Sequence, residues 1–177
     1  MKLIIVGIII TVILIFVLIL LFILNKKRKI KDILLKVDEA EESIGHLLKK
    51  KGESILTINE MIEEKSDKVV VDNKEEIKDF ENITKHDMNK LLNGYFDQII
   101  EIVDYNNEVI LDDEESIELN KLKNISLDLA GVQKYYNENI TILNNYQKSF
   151  PTSLFTSSKK KEPYINEKSE IFDILKE

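Results

Sequence analysis

The chain has 177 residues, of which 44% are apolar and 32% charged, with five Gly, two Pro and no Cys. Without cysteine there is no disulfide framework, thiolate metal site, catalytic thiol or cysteine lipidation, and so few Gly and Pro leave little room for the tight connections of a sheet. Charge is unevenly spread: Lys26, Lys27, Arg28, Lys29, Lys31 and Lys36 stand against Asp32 alone, while the chain from Val37 onward carries a net −13 within a total of −7, an acidity that repels phosphate backbones and argues against nucleic acid as a partner.

The first element is a hydrophobic run, Leu3 to Leu24, of 22 residues broken only by Gly7 and Thr11. At about 1.5 Å per residue a helix of that length spans roughly 33 Å, slightly more than a bilayer core of about 30 Å. A helix is the one way a single segment satisfies its backbone in lipid, and Thr11 can bond back to a carbonyl one turn earlier. A cleaved signal peptide fits poorly, since its apolar region is usually about 7–15 residues and ends at small residues. Here Asn25 and the basic collar follow instead. Residues 1–25 are therefore read as a single transmembrane anchor with the lipid bilayer as its partner. Basic side chains crowd the end after Leu24 and only Lys2 precedes the run. The positive-inside rule then places the N-terminus outside and the remainder in the cytoplasm.

Residues 26–151 read as a helical bundle. Ile30, Ile33, Val37, Ala40, Ile44, Leu47, Ile58 and Met61 recur at 3–4 spacing, with Leu34, Leu48, Ile55 and Ile62 widening the stripe. Val69-Val70-Val71 is too short for a strand. A second pattern holds Ile77, Phe80, Ile83, Met88, Leu91, Tyr95, Ile99 and Ile102, with a split expected at residues 82–86, and Asp104 to Asp113 reads as a connection. The last long helix begins at Asp112 or Asp113, where Asp112 and Glu115 form a capping-box pattern. Its stripe runs through Leu122, Ile125, Leu129, Val132, Tyr136, Ile140, Leu143 and Phe150 until Pro151 stops it. Residues 152–177 read as a polar, loosely held tail. None of these stripes can be buried alone, and short connections favour antiparallel neighbours. The expected class is all-α: one N-terminal transmembrane helix followed by an antiparallel up-and-down bundle of three to four long helices.

Residues suited to chemistry are few. His46 could share a metal with Glu42 at i,i+4, but a solvated face explains both as well, and His86 lies on another helix. Asp112 to Glu115 lacks the alternating ligands and central glycine of a calcium loop. No phosphate-binding glycine loop, nucleophile elbow or zinc-binding histidine pair occurs. No catalytic residue, metal, cofactor or small-molecule substrate is therefore expected. Lys51 stands out because it falls in register with the apolar stripe, with Ser54 on the same face. Either it snorkels at the bundle edge, or it is a buried cation paired with an acidic group on another helix. Asn137 and Asn144, two turns apart, share one edge of the last helix.

The stretch Tyr136-Asn137-x-x-Ile140-x-x-Leu143-Asn144-x5-Phe150-Pro151 resembles a signature near the C-terminal end of LemA family proteins, where two Tyr-Asn pairs seven apart precede Phe-Pro. Leu143 stands in place of the second tyrosine. Pro163-Tyr164-Ile165 looks like the family's later Pro-Tyr-Phe, and the stretch from Ile44 to Ile55 is similar to its first-helix motif. There Lys51 replaces an arginine and Leu56 a proline, so neither bidentate pairing nor a kink is carried over. The resemblance covers most of the chain and implies a LemA-like antiparallel bundle on one transmembrane segment, with no established catalytic activity. It gives Lys51, Tyr136, Asn137, Asn144, Phe150 and Pro151 structural roles. The expected function is that of a membrane-tethered interaction or scaffold protein with protein partners, itself included. The alternative is an accessory or regulatory subunit of a membrane protease or envelope machine.

Overall fold

A computed structural model describes residues 2–66, 68–80, 82–105, 109–148 and 161–164. Four α-helices follow in order: α1 (Lys2–Lys65), α2 (Lys74–Lys78), α3 (Lys85–Ile100), extended by a π-helical turn at Glu101–Tyr105, and α4 (Asp113–Lys148). No strand occurs among the described residues. α1 is 64 residues long, about three times the ~20 residues a bilayer core needs. It runs without a break through residue 25, so the division between apolar run and bundle is one of composition and not of backbone. From Ile4 to Phe22 every residue of α1 is exposed. This stretch is long and apolar enough to cross a membrane, and Thr11 Oγ1 donates to the Gly7 carbonyl at 2.9 Å as a lone hydroxyl among apolar residues should.

The described residues form two compact units. The first comprises α1 up to Glu39, α4 from Tyr136, and residues 161–163. Its buried side chains are Ile30, Val37, Tyr136, Asn139, Ile140 and Leu143. Lys26 Nζ lies 5.4 Å from the Phe22 ring centre and 4.6 Å from that of Tyr146, and Lys161 pairs with Asp38 at 2.9 Å.

The second unit comprises residues 40–135 with Tyr164. Its core is built on Ile44, Leu48, Ile55, Ile58 and Ile62 of α1, Met88, Leu92, Phe96 and Ile99 of α3, and Leu122, Ile125 and Leu129 of α4. Side-chain contacts fix the directions. Gln133 meets Asn89 and Lys123 meets Asp104, so α3 and α4 are antiparallel. Ser54 meets Glu118 and Lys65 meets Glu115, so α1 and α4 are antiparallel as well. α1 and α3, though consecutive among the longer helices, run parallel: Lys85 bonds the Glu41 carbonyl and Asn93 bonds Lys51. The expectation of antiparallel neighbours fails here because the connection between them is itself a returning leg. Its Val70 and Val71 dock on Asn59, and its Ile77 packs against Gly52, about two turns earlier on α1. A Cβ on Gly52 would lie 2.9 Å from Ile77 Cγ2, so the absence of a side chain permits this approach. The leg carries only the five-residue α2.

Helix starts follow the sequence. Thr84 Oγ1 accepts from the Asp87 N–H at 3.2 Å at the start of α3. At α4, Glu115 N–H donates to Asp112 Oδ1 at 3.0 Å and Asp112 N–H to Glu115 Oε2 at 2.7 Å, a reciprocal capping box. The bond from the Glu115 N–H holds the Asp112 carboxyl below its usual range. Lys65 also pairs with Glu115, which raises the Lys65 pKa. At five points the buried residue lies one position from the main expected stripe: Leu48, Ile62, Gln133, Leu92 and Phe96 are buried where Leu47, Met61, Val132, Leu91 and Tyr95 are half-exposed. The ladder continuing from Lys51, Ile55 and Ile58 selects the first two. The ladder Leu122, Ser126, Leu129, Gln133, Tyr136 selects the third.

Candidate functional site

Lys51 lies one turn from both Leu48 and Ile55 on the buried face of α1, and only 2% of it is exposed. It does not snorkel. Its Nζ donates to Asn93 Oδ1 at 2.7 Å and lies 4.8 Å from the centre of the Phe96 ring. Both belong to α3, three residues apart, so one turn of that helix supplies an amide oxygen and a ring face to a single ammonium. The expected acidic partner is replaced by this pair. Asp97 acts on the amine only through its field. Burial lowers the Lys51 pKa from 10.5 to about 8, with the Asp97 carboxylate partly opposing.

Other buried polar groups lie along α1, α3 and α4. Gln133 Nε2 donates to Asn89 Oδ1 at 2.7 Å, one turn before Asn93 on α3. Ser54, expected on the same face as Lys51, is 2% exposed, and its hydroxyl meets Glu118 Oε1 at 3.0 Å. Asn59 is fully buried. Its Oδ1 accepts from the N–H groups of Val70 and Val71, both at 2.9 Å, and its Nδ2 donates to Glu63 Oε1 at 2.5 Å. Hydrogen bonds from Lys74 and Asn59 hold the Glu63 carboxyl below its ordinary range. An amine this enclosed, already bonded to Asn93, is out of reach of a solute. What the cluster can do is specify register, because an axial slip of one helix would strand several buried polar groups at once.

The remaining sequence candidates separate. Glu42 and His46 are exposed on α1, and among the described residues no group of three or more His, Asp or Glu side chains could hold a metal. His86 lies on α3, where its ring stacks on Tyr164 with centres 4.0 Å apart and planes 3° from parallel. Tyr164 is 3% exposed, so this one residue of the stretch read from composition as loosely held has a buried ring. Tyr136 is buried, while Asn137 and Asn144 are half-buried. Phe150 and Pro151 lie outside the described residues.

Asn59, Asn89, Asn93 and Gln133 were not singled out from the sequence. For Gln133 a signal existed, since it continues the 3–4 ladder between Leu129 and Tyr136. The other three show nothing locally that separates them from solvated amides. Comparison with known families, characterised proteins and solved structures finds no match for this chain.

Proposed function

We propose that this chain is a single-pass membrane protein of LemA-like character, a non-enzymatic interaction or scaffold protein whose helical bundle is presented at the membrane surface. One observation carries the reading: a single unbroken helix holds both a wholly exposed apolar stretch, Ile4 to Phe22, and the buried stripe of the bundle from Ile30 to Ile62. Exposed apolar side chains over five turns need a non-aqueous surrounding. An anchor continuous with the bundle's own core helix confines that bundle to the bilayer plane. The basic collar favours an outside N-terminus and a cytoplasmic bundle.

The buried polar cluster supports a structural role for Lys51 and leaves the outer helix faces for partners. Cross-linking of the full-length protein in native membranes, followed by mass spectrometry, tests the reading. Self-cross-links or a recurring set of several proteins are expected of a scaffold. A single dominant enzyme partner would replace the scaffold reading with that of an accessory subunit.

A further inference from the structure

We propose that the basic collar of α1 is a binding site for the phosphate headgroups of anionic phospholipids, with Arg28 and Lys31 as its principal ligands. The proposal deepens the membrane reading above and rests on it. Arg28, Lys29, Lys31 and Lys36 are exposed, and among the described residues none has an ion-pair partner. Even Asp32, one turn from Arg28, does not pair with it. With Asp32 set against these four, three positive charges in excess thus remain on one short stretch of a chain that is otherwise acidic.

Their placement selects the anion. Arg28 lies about 6 Å and Lys31 about 10 Å beyond Leu24 along the helix. Bilayer dimensions leave a headgroup layer of roughly 5–8 Å on each side of the hydrocarbon. Side chains of an α-helix lean toward its N-terminus, which here is the apolar end, so both cations tilt back to phosphate level. Three residues apart, they are surface neighbours with Cβ atoms about 5–6 Å apart, close enough for one phosphate to meet both. The Arg28 guanidinium offers a planar fork suited to phosphate oxygens. Lys26 has a different task. It is held against Phe22 and Tyr146, which brings the last turn of α4 to the same level, with Lys148 exposed in that turn. A group of four to eight basic residues beside a membrane helix is the arrangement that concentrates anionic lipid.

The test uses the full-length protein reconstituted in phosphatidylcholine vesicles containing a minor share of phosphatidylglycerol. Lipids retained after mild extraction are counted by native mass spectrometry. Phosphatidylglycerol should be enriched over its bulk share, and Arg28→Gln with Lys31→Gln should reduce that enrichment by about five-fold or more. Arg28→Lys with Lys31→Arg should keep it. Lys49→Gln with Lys50→Gln, the same charge change roughly 30 Å further along α1, should leave it unchanged. Retention at the bulk ratio, or equal loss from both Gln pairs, would overturn the site while leaving the anchor intact. Displacement of the retained lipid by inorganic phosphate would reassign it as a soluble-anion site and overturn the proposal. Failure of the membrane reading looks different: alkaline carbonate would strip the protein from vesicles of either composition.

Discussion

Two stretches of α1 share one backbone and differ in everything their side chains meet. From Ile4 to Phe22 apolar residues point in all directions and every one is exposed. From Val37 to Ile62 burial recurs at every third or fourth residue: Val37, Ala40, Ile44, Leu48, Lys51, Ile55, Ile58 and Ile62. Helix propensity does not separate the two. Periodicity does, because a helix that is apolar all round suits only a surrounding that is apolar all round, whereas a stripe calls for a partner on one side. The periodic stretch can therefore carry a polar residue on its inner face, provided the facing helix supplies a matching group, and Lys51 with Asn93 is that case.

The largest expected effect breaks this match. Lys51→Glu places a carboxylate against the Phe96 ring and near Asp97, and should destabilise the protein by about 3–5 kcal/mol in urea denaturation in detergent micelles. Lys51→Met should be neutral or stabilising, and it should also remove a pH dependence. The folded-state pKa of Lys51 lies below its unfolded value, so the unfolded chain binds the extra proton between about pH 8 and 10.5. Stability from this residue therefore rises across that window, by about 3 kcal/mol, and is lowest below it. Subtracting the Met variant's profile from that of the parent should isolate the rise. Equal profiles would mean the amine is solvated.

Tyr136→Ala tests whether the end of the periodic region beyond residue 135 is packed as firmly. Loss of a ring only 3% exposed should cost about 3–5 kcal/mol by the same titration. A variant as stable as the parent that no longer captures partners from membranes would give Tyr136 a binding role instead. Asn59→Ala removes the acceptor for two buried N–H groups and should cost about 1–3 kcal/mol. The amides of Val70 and Val71 should then exchange hydrogen faster than their neighbours, which a general loosening would not produce. Asp112→Ala removes half of a capping box at a solvent-facing helix start, so the expected loss is smallest, about 0.5–2 kcal/mol. Asp112→Asn should recover most of it.

The sequence made local periodicity readable and left long-range partners hidden. Apolar stripes, the α4 cap and the anomaly of Lys51 depend on residues within a turn or two of one another. Lys51's partner lies 42 residues away, and nothing near Asn93 marks it as buried. Leu47 and Leu48 are both apolar, so composition alone could not choose between them, and the three-dimensional ladder does. The parallel course of α1 and α3 was hidden for a related reason. Val69 to Ile77 is too short and irregular to read as an element, yet it forms the returning leg that decides the direction of the next helix. Asn59 holds that leg through a main-chain contact that leaves no periodic trace.

Whether α1 stays one uncleaved helix serving two surroundings is tested most directly by the mass of the membrane-borne protein. Membranes from cells expressing the full chain should retain the protein through alkaline carbonate extraction. Intact-mass analysis of the pellet should then give the full 20.6 kDa. Release into the supernatant, or a mass lowered by loss of the apolar N-terminal segment, would contradict it.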